Sequence, residues 1–338
     1  MGGPMKIEYG KMVEVFERIF TSRGLEASDA SLAAKIFADN SLFGVISHGA
    51  NRFPRVIDYI DKGDIDVKAK AETIFATPVF ERWDCHRGLG FLNAQKGMAR
   101  AMELSSSNGI GIIALKNNNH WMRGGSYAQA AAERGFIGIC WSNTTANMPA
   151  WGATDSRIGN NPLCIGIPRK NGDPFILDLA MSQYSYGKLE SMRLAGKKLP
   201  YPGGFDDEGN LTDDPGSIEK SRRVLPFGYW KGSGLSIALD LLASILTLGN
   251  SVMDIGGFEN EVGLSQVLIA INPEKFGIED MEDIVSKNLE YIKDSSPVDP
   301  DRKVSYPGEG LYRTKKANEE RGAIEVVDEV WNKILSYL

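Results

Sequence analysis

Residues 109–125, GIGIIALKNNNHWMRGG, decide how the chain is read. Gly109 to Leu115 is a short apolar run of the kind that forms a buried strand, and Asn117, Asn118, Asn119 and His120 follow at its carboxyl end. Upstream, Ala94 to Ser106 has helical spacing; downstream, Ser126 to Arg134 forms a second helical segment and Phe136 to Trp141 a second apolar run. This alternation predicts an α/β fold, a sheet covered by helices. Leu163–Pro168 and Phe175–Leu179 are two more strand segments, and the turn Lys170-Asn171-Gly172-Asp173 between them suits a hairpin. Gly232 to Leu248 reads as an apolar helix and Gln266 to Ile271 as another strand.

Outside this core the periodicity is helical. Met12, Val15, Phe16, Ile19 and Phe20, then Leu32, Ala33, Ile36 and Phe37, mark two amphipathic helices within residues 9–45. Residues 278–338 read as two more, around a polar linker at Ser295 to Lys316. Leu199 to Pro226, rich in Gly, Pro and Asp, reads as one long ordered loop. The two chain ends are expected to pack together, so the sheet is an inserted unit. The division predicted is 1–80, 81–250 and 251–338.

Composition narrows the function classes. A 338-residue chain with 42% apolar and 24% charged residues is ordinary globular material. Its net charge of −6, with scattered basic residues, gives no footprint for nucleic acid or an anionic membrane surface. The apolar stretch Leu235 to Leu248 is too short to span a bilayer, and MGGPMKIEYG lacks the pattern of a signal peptide. Cys85, Cys140 and Cys164 are odd in number and widely spaced, which suits neither a metal knuckle nor a disulfide framework. A cytoplasmic protein is expected.

The three histidines can be weighed singly. His48 lies in Ser47-His48-Gly49-Ala50-Asn51-Arg52. Imidazole can protonate an alkoxide near neutral pH and a guanidinium grips a carboxylate with two parallel hydrogen bonds, so His48 with Arg52 suits reduction of a 2-oxo acid. His120 stands where α/β proteins place ligand sites. His86, in Asp84-Cys85-His86-Arg87-Gly88, reads as a loop residue. No HExxH or CxxC offers zinc, so no metal is expected, and Gly232-Ser233-Gly234 lacks the form of a hydrolase elbow.

Gly88-Leu89-Gly90-Phe91-Leu92-Asn93 approaches the GxGxxG dinucleotide fingerprint, but Asn93 replaces the third glycine and charged residues precede it. A conventional Rossmann site is therefore rejected. Trp230-Lys231-Gly232-Ser233-Gly234 at a helix start is a better anion site, and Pro307-Gly308-Glu309-Gly310 is a turn able to expose amides.

Taken together, His48-Gly49 with Arg52, Asn119-His120, Gly159-Asn160-Asn161-Pro162, Asp178 through Ser182, Lys231-Gly232 and Pro307-Gly308-Glu309 resemble, in that order, the malate/L-lactate dehydrogenase family whose fold is not Rossmann. The stretches SHGANRFPR, NHWMRGGSY, RLAGKKLP, GGFDDEGNLT and GYWKGSG resemble its sugar-acid-reducing members. The resemblance implies a largely antiparallel or mixed sheet that binds NAD (NADH, with NADP an alternative), set into a helical domain from both chain ends. It also implies a homodimer with its sites near the subunit interface. His48 matches the family's proton donor, while other members are described with the acid/base at the His120 position. Arg52 matches a substrate-carboxylate ligand. Ile176, Leu177, Asp178, Leu179, Ala180, Met181 and Ser182, then Trp230 and Lys231, then Gly308, Glu309 and Gly310 match dinucleotide contacts. The activity implied is NADH-dependent reduction of a 2-oxo sugar acid. A malate, lactate, ureidoglycolate or sulfolactate dehydrogenase and a non-catalytic dinucleotide-binding protein are the alternatives.

Overall fold

The computed structural model describes residues 4–338. Strand β1 (Met5–Ile7) leads into α1 (Tyr9–Ser22) and α2 (Ala27–Leu42), and a short 3-10 helix, Ile46–His48, precedes α3 (Phe53–Asp61). The hairpin β2 (Glu72–Ala76) and β3 (Phe80–Asp84) is followed by α4 (Gly90–Asn108), β4 (Ile110–Asn118), α5 (Gly125–Ala132) and β5 (Ile137–Ser142). A small pair, β6 (Met148–Pro149) and β7 (Ser156–Ile158), precedes β8 (Leu163–Ile167) and β9 (Phe175–Leu179). Next come α6 (Tyr186–Leu194), β10 (Gly204–Phe205), β11 (Leu211–Thr212), α7 (Pro215–Ser221), α8 (Trp230–Thr247) and α9 (Val252–Ile255). The chain closes with β12 (Leu264–Ile271), α10 (Met281–Lys293), α11 (Glu309–Arg321), β13 (Ile324–Val326) and α12 (Asp328–Leu335).

The main sheet has seven strands in the order β2-β3-β4-β12-β5-β8-β9. Only β3 and β4 pair in parallel; every other pairing in this sheet is antiparallel. The expected mixed, largely antiparallel sheet is thus present, and its cause is β12. The alternation β4-α5-β5 would give adjacent parallel strands in a Rossmann unit, but β12 slots between them and pairs antiparallel with both. Val267, Leu268 and Ala270 of β12 are fully buried, as a central strand covered on both faces requires. The sheet therefore draws a strand from beyond residue 250.

Three apolar clusters follow from this layering. One face of the sheet is covered by α4 and α5 through Met98, Ala101, Ile113, Ala128 and Leu268. The other is covered by α8, with Leu239 and Ala243 against Val267. The third joins the chain ends: Phe16, Phe37 and Phe53 pack with Trp331 and Ile334, and β1 pairs with β13.

Two segments differ from the sequence reading. Residues 199–226 hold the β10–β11 hairpin and α7, because Asp214 caps α7 by accepting the Gly216 and Ser217 N–H groups, with Pro215 preset for a first helical turn. The polar linker read as Ser295 to Lys316 ends early: α11 begins at Glu309, and a third helix, α12, follows. The near-fingerprint at Gly88 has a structural cause as well. A Cβ on Gly90 would lie 2.0 Å from the Asn119 carbonyl oxygen, so glycine there lets the start of α4 abut the segment that carries His120.

Candidate active site

The three asparagines ahead of His120 are scaffold. Asn117 donates to both Asp84 oxygens at 3.1 Å, Asn118 to Gln266 Oε1 at 2.6 Å, and Asn119 to the Arg87 and Gly88 carbonyls at 2.7 and 3.0 Å. Gln266 returns a hydrogen bond to the Asn119 carbonyl at 3.0 Å. The donors of all three amides are engaged, with Asn119 Oδ1 left as a buried oxygen without a hydrogen-bond partner, and the chain leaving β4 is fixed in place. Tyr127 adds a further tie, donating its hydroxyl to the Trp121 carbonyl.

On this scaffold His120 faces His48, their ring centroids 5.7 Å apart and their planes 23° from parallel. His120 Nδ1 accepts the Met122 N–H at 3.0 Å, so the proton of its neutral form sits on Nε2. His48 Nδ1 lies 3.1 Å from Ser47 Oγ. Burial pushes His48 down to about 4, with the Asp178 carboxylate opposing and Arg52 and Arg123 adding to the effect. Burial also lowers His120 well below the ordinary imidazole range, helped by Arg52, His48 and Arg55. Both shifts favour the neutral ring at neutral pH.

The two rings line a cleft of about 580 Å³. Its walls include Ser47, Thr144, Asn160 and Gln266 from separate parts of the chain, together with Ile176, Leu177, Asp178 and Ala180, and Gly308 and Leu311. Gly308 has φ +98°, and a Cβ there would lie 2.8 Å from the Ile176 nitrogen, so only glycine allows the turn before α11 to close on β9. The Pro307 carbonyl accepts the Ile176 N–H at 3.3 Å. Two sequence segments expected at one ligand are thereby brought into contact.

The remaining candidates stand as follows. Arg52 sits beside the histidines and donates to Glu261 Oε2 at 3.3 Å. Leu179, Met181 and Ser182 continue the β9 segment; the Met181 carbonyl accepts the Phe227 N–H at 2.9 Å, which ties this segment to the start of α8. Trp230 and Lys231 begin α8, are exposed, and are not part of the cleft wall. Glu309 pairs with Lys293, and the Gly310 carbonyl accepts from Thr314. His86 stands away from the cleft, 3.4 Å from Glu72 on the β2–β3 edge.

Sequence reasoning missed Ser47, Thr144, Gln266, Arg123 and Glu261 as site residues, and gave Asn160 a place in a motif but no role. Gln266 carried a usable signal, a large polar side chain in a run otherwise fit for a fully buried strand. Arg123 is 3% exposed, with Nε 3.6 Å from Asp178 Oδ2 and Nη1 donating to Gln129 at 3.0 Å.

Comparison with known proteins decides the lineage. A family model described as malate/L-lactate dehydrogenase matches residues 7–335. The chain belongs to this family. Members of the malate/L-lactate dehydrogenase family similar to it include 2,3-diketo-L-gulonate reductase of Klebsiella pneumoniae, 47% identical over 333 residues that cover 98% of this chain and 99% of the relative. The same enzyme of Escherichia coli O17:K52:H18 is 46% identical over equal coverage. Among solved structures, a dehydrogenase from Sinorhizobium meliloti superposes with a TM-score of 0.87 at 30% identity, covering 98% of both chains. Sulfolactate dehydrogenase from Methanocaldococcus jannaschii gives 0.88 at 28% identity, covering 98% of this chain and 96% of that one. As a member of this family the protein is an oxidoreductase acting on a CH–OH group, and a nicotinamide cofactor goes with that chemistry.

The cleft fits such a cofactor. The Gly308 turn opens the 13-residue helix α11 without a side-chain cap; Glu309 and Leu311 donate to the Tyr306 and Gly308 carbonyls, which leaves the Gly310 N–H of the first turn available to an anion. Arg123 Nε and Nη2 and Ser182 Oγ are buried polar atoms without a hydrogen-bond partner, although Nε lies 3.6 Å from Asp178 Oδ2. Among the described residues, no helix is long and apolar enough to cross a membrane.

The depressed histidines give a pH expectation. With a neutral imidazole as base in the oxidising direction, protonation would remove activity, and a lowered pKa would move that loss to lower pH. The acid limb of kcat/KM for 2-hydroxy acid oxidation is expected near the value of about 4 that burial sets for His48. A limb near the unperturbed imidazole value of about 6.5 would contradict this account of the site.

Proposed function

We propose that the protein is an NADH-dependent reductase of a 2-oxo sugar acid, with 2,3-diketo-L-gulonate, reduced to 3-keto-L-gulonate, as its substrate. The observation that carries this reading is the pairing of two neutral imidazoles with a cleft whose other polar groups are chiefly uncharged hydroxyls and amides, a surface suited to a polyhydroxylated chain. The names of the similar relatives support the same substrate.

Ile176 to Ser182, Gly308 to Gly310 and the α11 N-terminus would hold the dinucleotide, with Trp230 and Lys231 at its outer end, reached along the segment that Met181 ties to α8. Bound there, the nicotinamide would supply a hydride to the ketone carbon. Arg52 holds the substrate carboxylate and so orients the carbonyl toward the two imidazoles. His120, with its proton fixed on Nε2, donates a hydrogen bond that polarises the carbonyl oxygen. His48 delivers the proton. The negative substrate offsets part of the Arg52 field that disfavours the imidazolium, so His48 is easier to protonate once substrate is seated. Asp178, held by the Gly125 N–H at 3.0 Å and by Cys164 Sγ at 3.3 Å, favours that charge further.

The protein acts as a homodimer built on the outer face of α8. Its three buried, unpaired cysteines suit the reducing cytoplasm. The test is a panel of 2-oxo acids, including 2,3-diketo-L-gulonate, followed by the loss of NADH and of NADPH absorbance. Turnover is expected to be best with the sugar acid and NADH. Cofactor binding without oxidation by any member of the panel would overturn the proposal.

A further inference from the structure

Arg52, the residue assigned to the substrate carboxylate, does not stand alone. Its Nη2 donates to Glu261 Oε2 at 3.3 Å, and Glu261 Oε1 accepts the Thr145 N–H at 3.4 Å, next to Thr144 on the cleft wall. The two side chains are only 21% and 17% exposed, so their charges act on one another and on a bound ligand with little screening. Arg55 is close enough to act on both Arg52 and His120. Arg52, Arg55 and Glu261 together leave one net positive charge at this end of the cleft. The guanidinium on the cleft wall itself, Arg123, is matched by Asp178, while Arg52 stands behind the two histidines. The cleft thus offers charge for one carboxylate and none for a second.

We propose that Glu261 is a specificity-determining residue. Its carboxylate balances the surplus positive charge beside Arg52, so the site takes 2-oxo acids with one carboxylate and a neutral hydroxylated tail and rejects dianions. It occupies one of the five guanidinium donors, leaving a fork of Arg52 for the substrate carboxylate, and it repels a second carboxylate brought to the same place. This inference rests on the 2-oxo acid reading of the cleft.

The test uses a pair of substrates equal in length, 5-hydroxy-2-oxopentanoate and its dianionic counterpart 2-oxoglutarate. Wild type is expected to favour the monoanion in kcat/KM by about tenfold or more, and Glu261→Gln to narrow that gap by about tenfold, chiefly through the KM of the dianion. Glu261→Asp keeps the charge and should keep the preference, an outcome that a purely structural role does not predict. Glu261→Ala is a second neutral variant, with thermal unfolding recorded for each to confirm the fold. A wild type that turns over the dianion as readily as the monoanion overturns the inference. So does a gap unchanged within about twofold in the folded neutral variants. Failure of wild type to reduce any 2-oxo acid would instead overturn the reading beneath it.

Discussion

His48→Ala is expected to lower kcat by a factor on the order of 10² or more while leaving NADH affinity nearly unchanged. The affinity should survive because the segments assigned to the dinucleotide, Ile176 to Ser182 and the turn at Gly308, are held by strand pairing and by the Pro307–Ile176 hydrogen bond, none of which involves the imidazole. The turnover should not, because the other imidazole lining the cleft, His120, has Nδ1 committed to the Met122 N–H and so cannot load a further proton to deliver. That commitment separates the two rings. His120→Ala removes a fixed donor and should cost turnover as well, but the pH limb set by His48 should persist in it and vanish in His48→Ala. Fluorescence titration with NADH, single-turnover rates and pH profiles of the two variants make the comparison. Full turnover in His48→Ala, or a limb near pH 4 that follows His120, would reverse the roles.

These assignments show which parts of the molecule can be read in one dimension. Strands β4, β5, β8 and β9 and helices α1, α2, α4, α5 and α8 announce themselves because apolar spacing is a local property. The position of β12 between β4 and β5 is not local: its pairing partners lie more than a hundred residues away, and an alternating strand–helix pattern suits either topology. The start of α11 was hidden for another reason. Its sequence, EGLYRTKKANEER, is almost wholly polar, and its place is set by the Gly308 turn against Ile176 and by Asn318, which donates to the Leu42 carbonyl of α2 at 2.8 Å.

The site divides along the same line. His48, His120, Arg52 and the 176–182 segment were found through the order of motifs that resemble one family. The charge state of the histidines could not be, because it depends on burial and on Arg52, Arg55, Arg123 and Asp178 converging from three segments. Glu261 lies 209 residues from the arginine it balances, and no local pattern points to it.

The second large effect concerns α8. Leu241→Asp with Ile245→Asp is expected to turn the proposed dimer into monomers at micromolar concentration. Gly232, Ser233, Ser236, Leu239, Ala243 and Thr247 make the buried face of this helix, while Trp230, Ile237, Leu241, Leu242, Ile245 and Leu248 are exposed. Beyond Lys231 the helix carries one charge, Asp240, and that side chain is spent internally on Asn143 and on the Val252 N–H. An outward face of this size without charge is rare on a monomer's surface. A second copy is the simplest partner, since a two-fold axis across the face sets the same apolar residues against one another. Burying a leucine or isoleucine side chain contributes about 1.5–3 kcal/mol, and each substitution counts twice in a symmetric dimer, so the dissociation constant should rise by about 10³ or more. Sedimentation equilibrium of wild type and variant reads this directly. Because Trp230 and Lys231 stand at the start of the same helix, NADH affinity should fall together with the dimer, whereas the unfolding temperature of the chain's own core, which does not use this face, should change little. A wild type that is monomeric at micromolar concentration would remove both the interface and the link between assembly and cofactor binding.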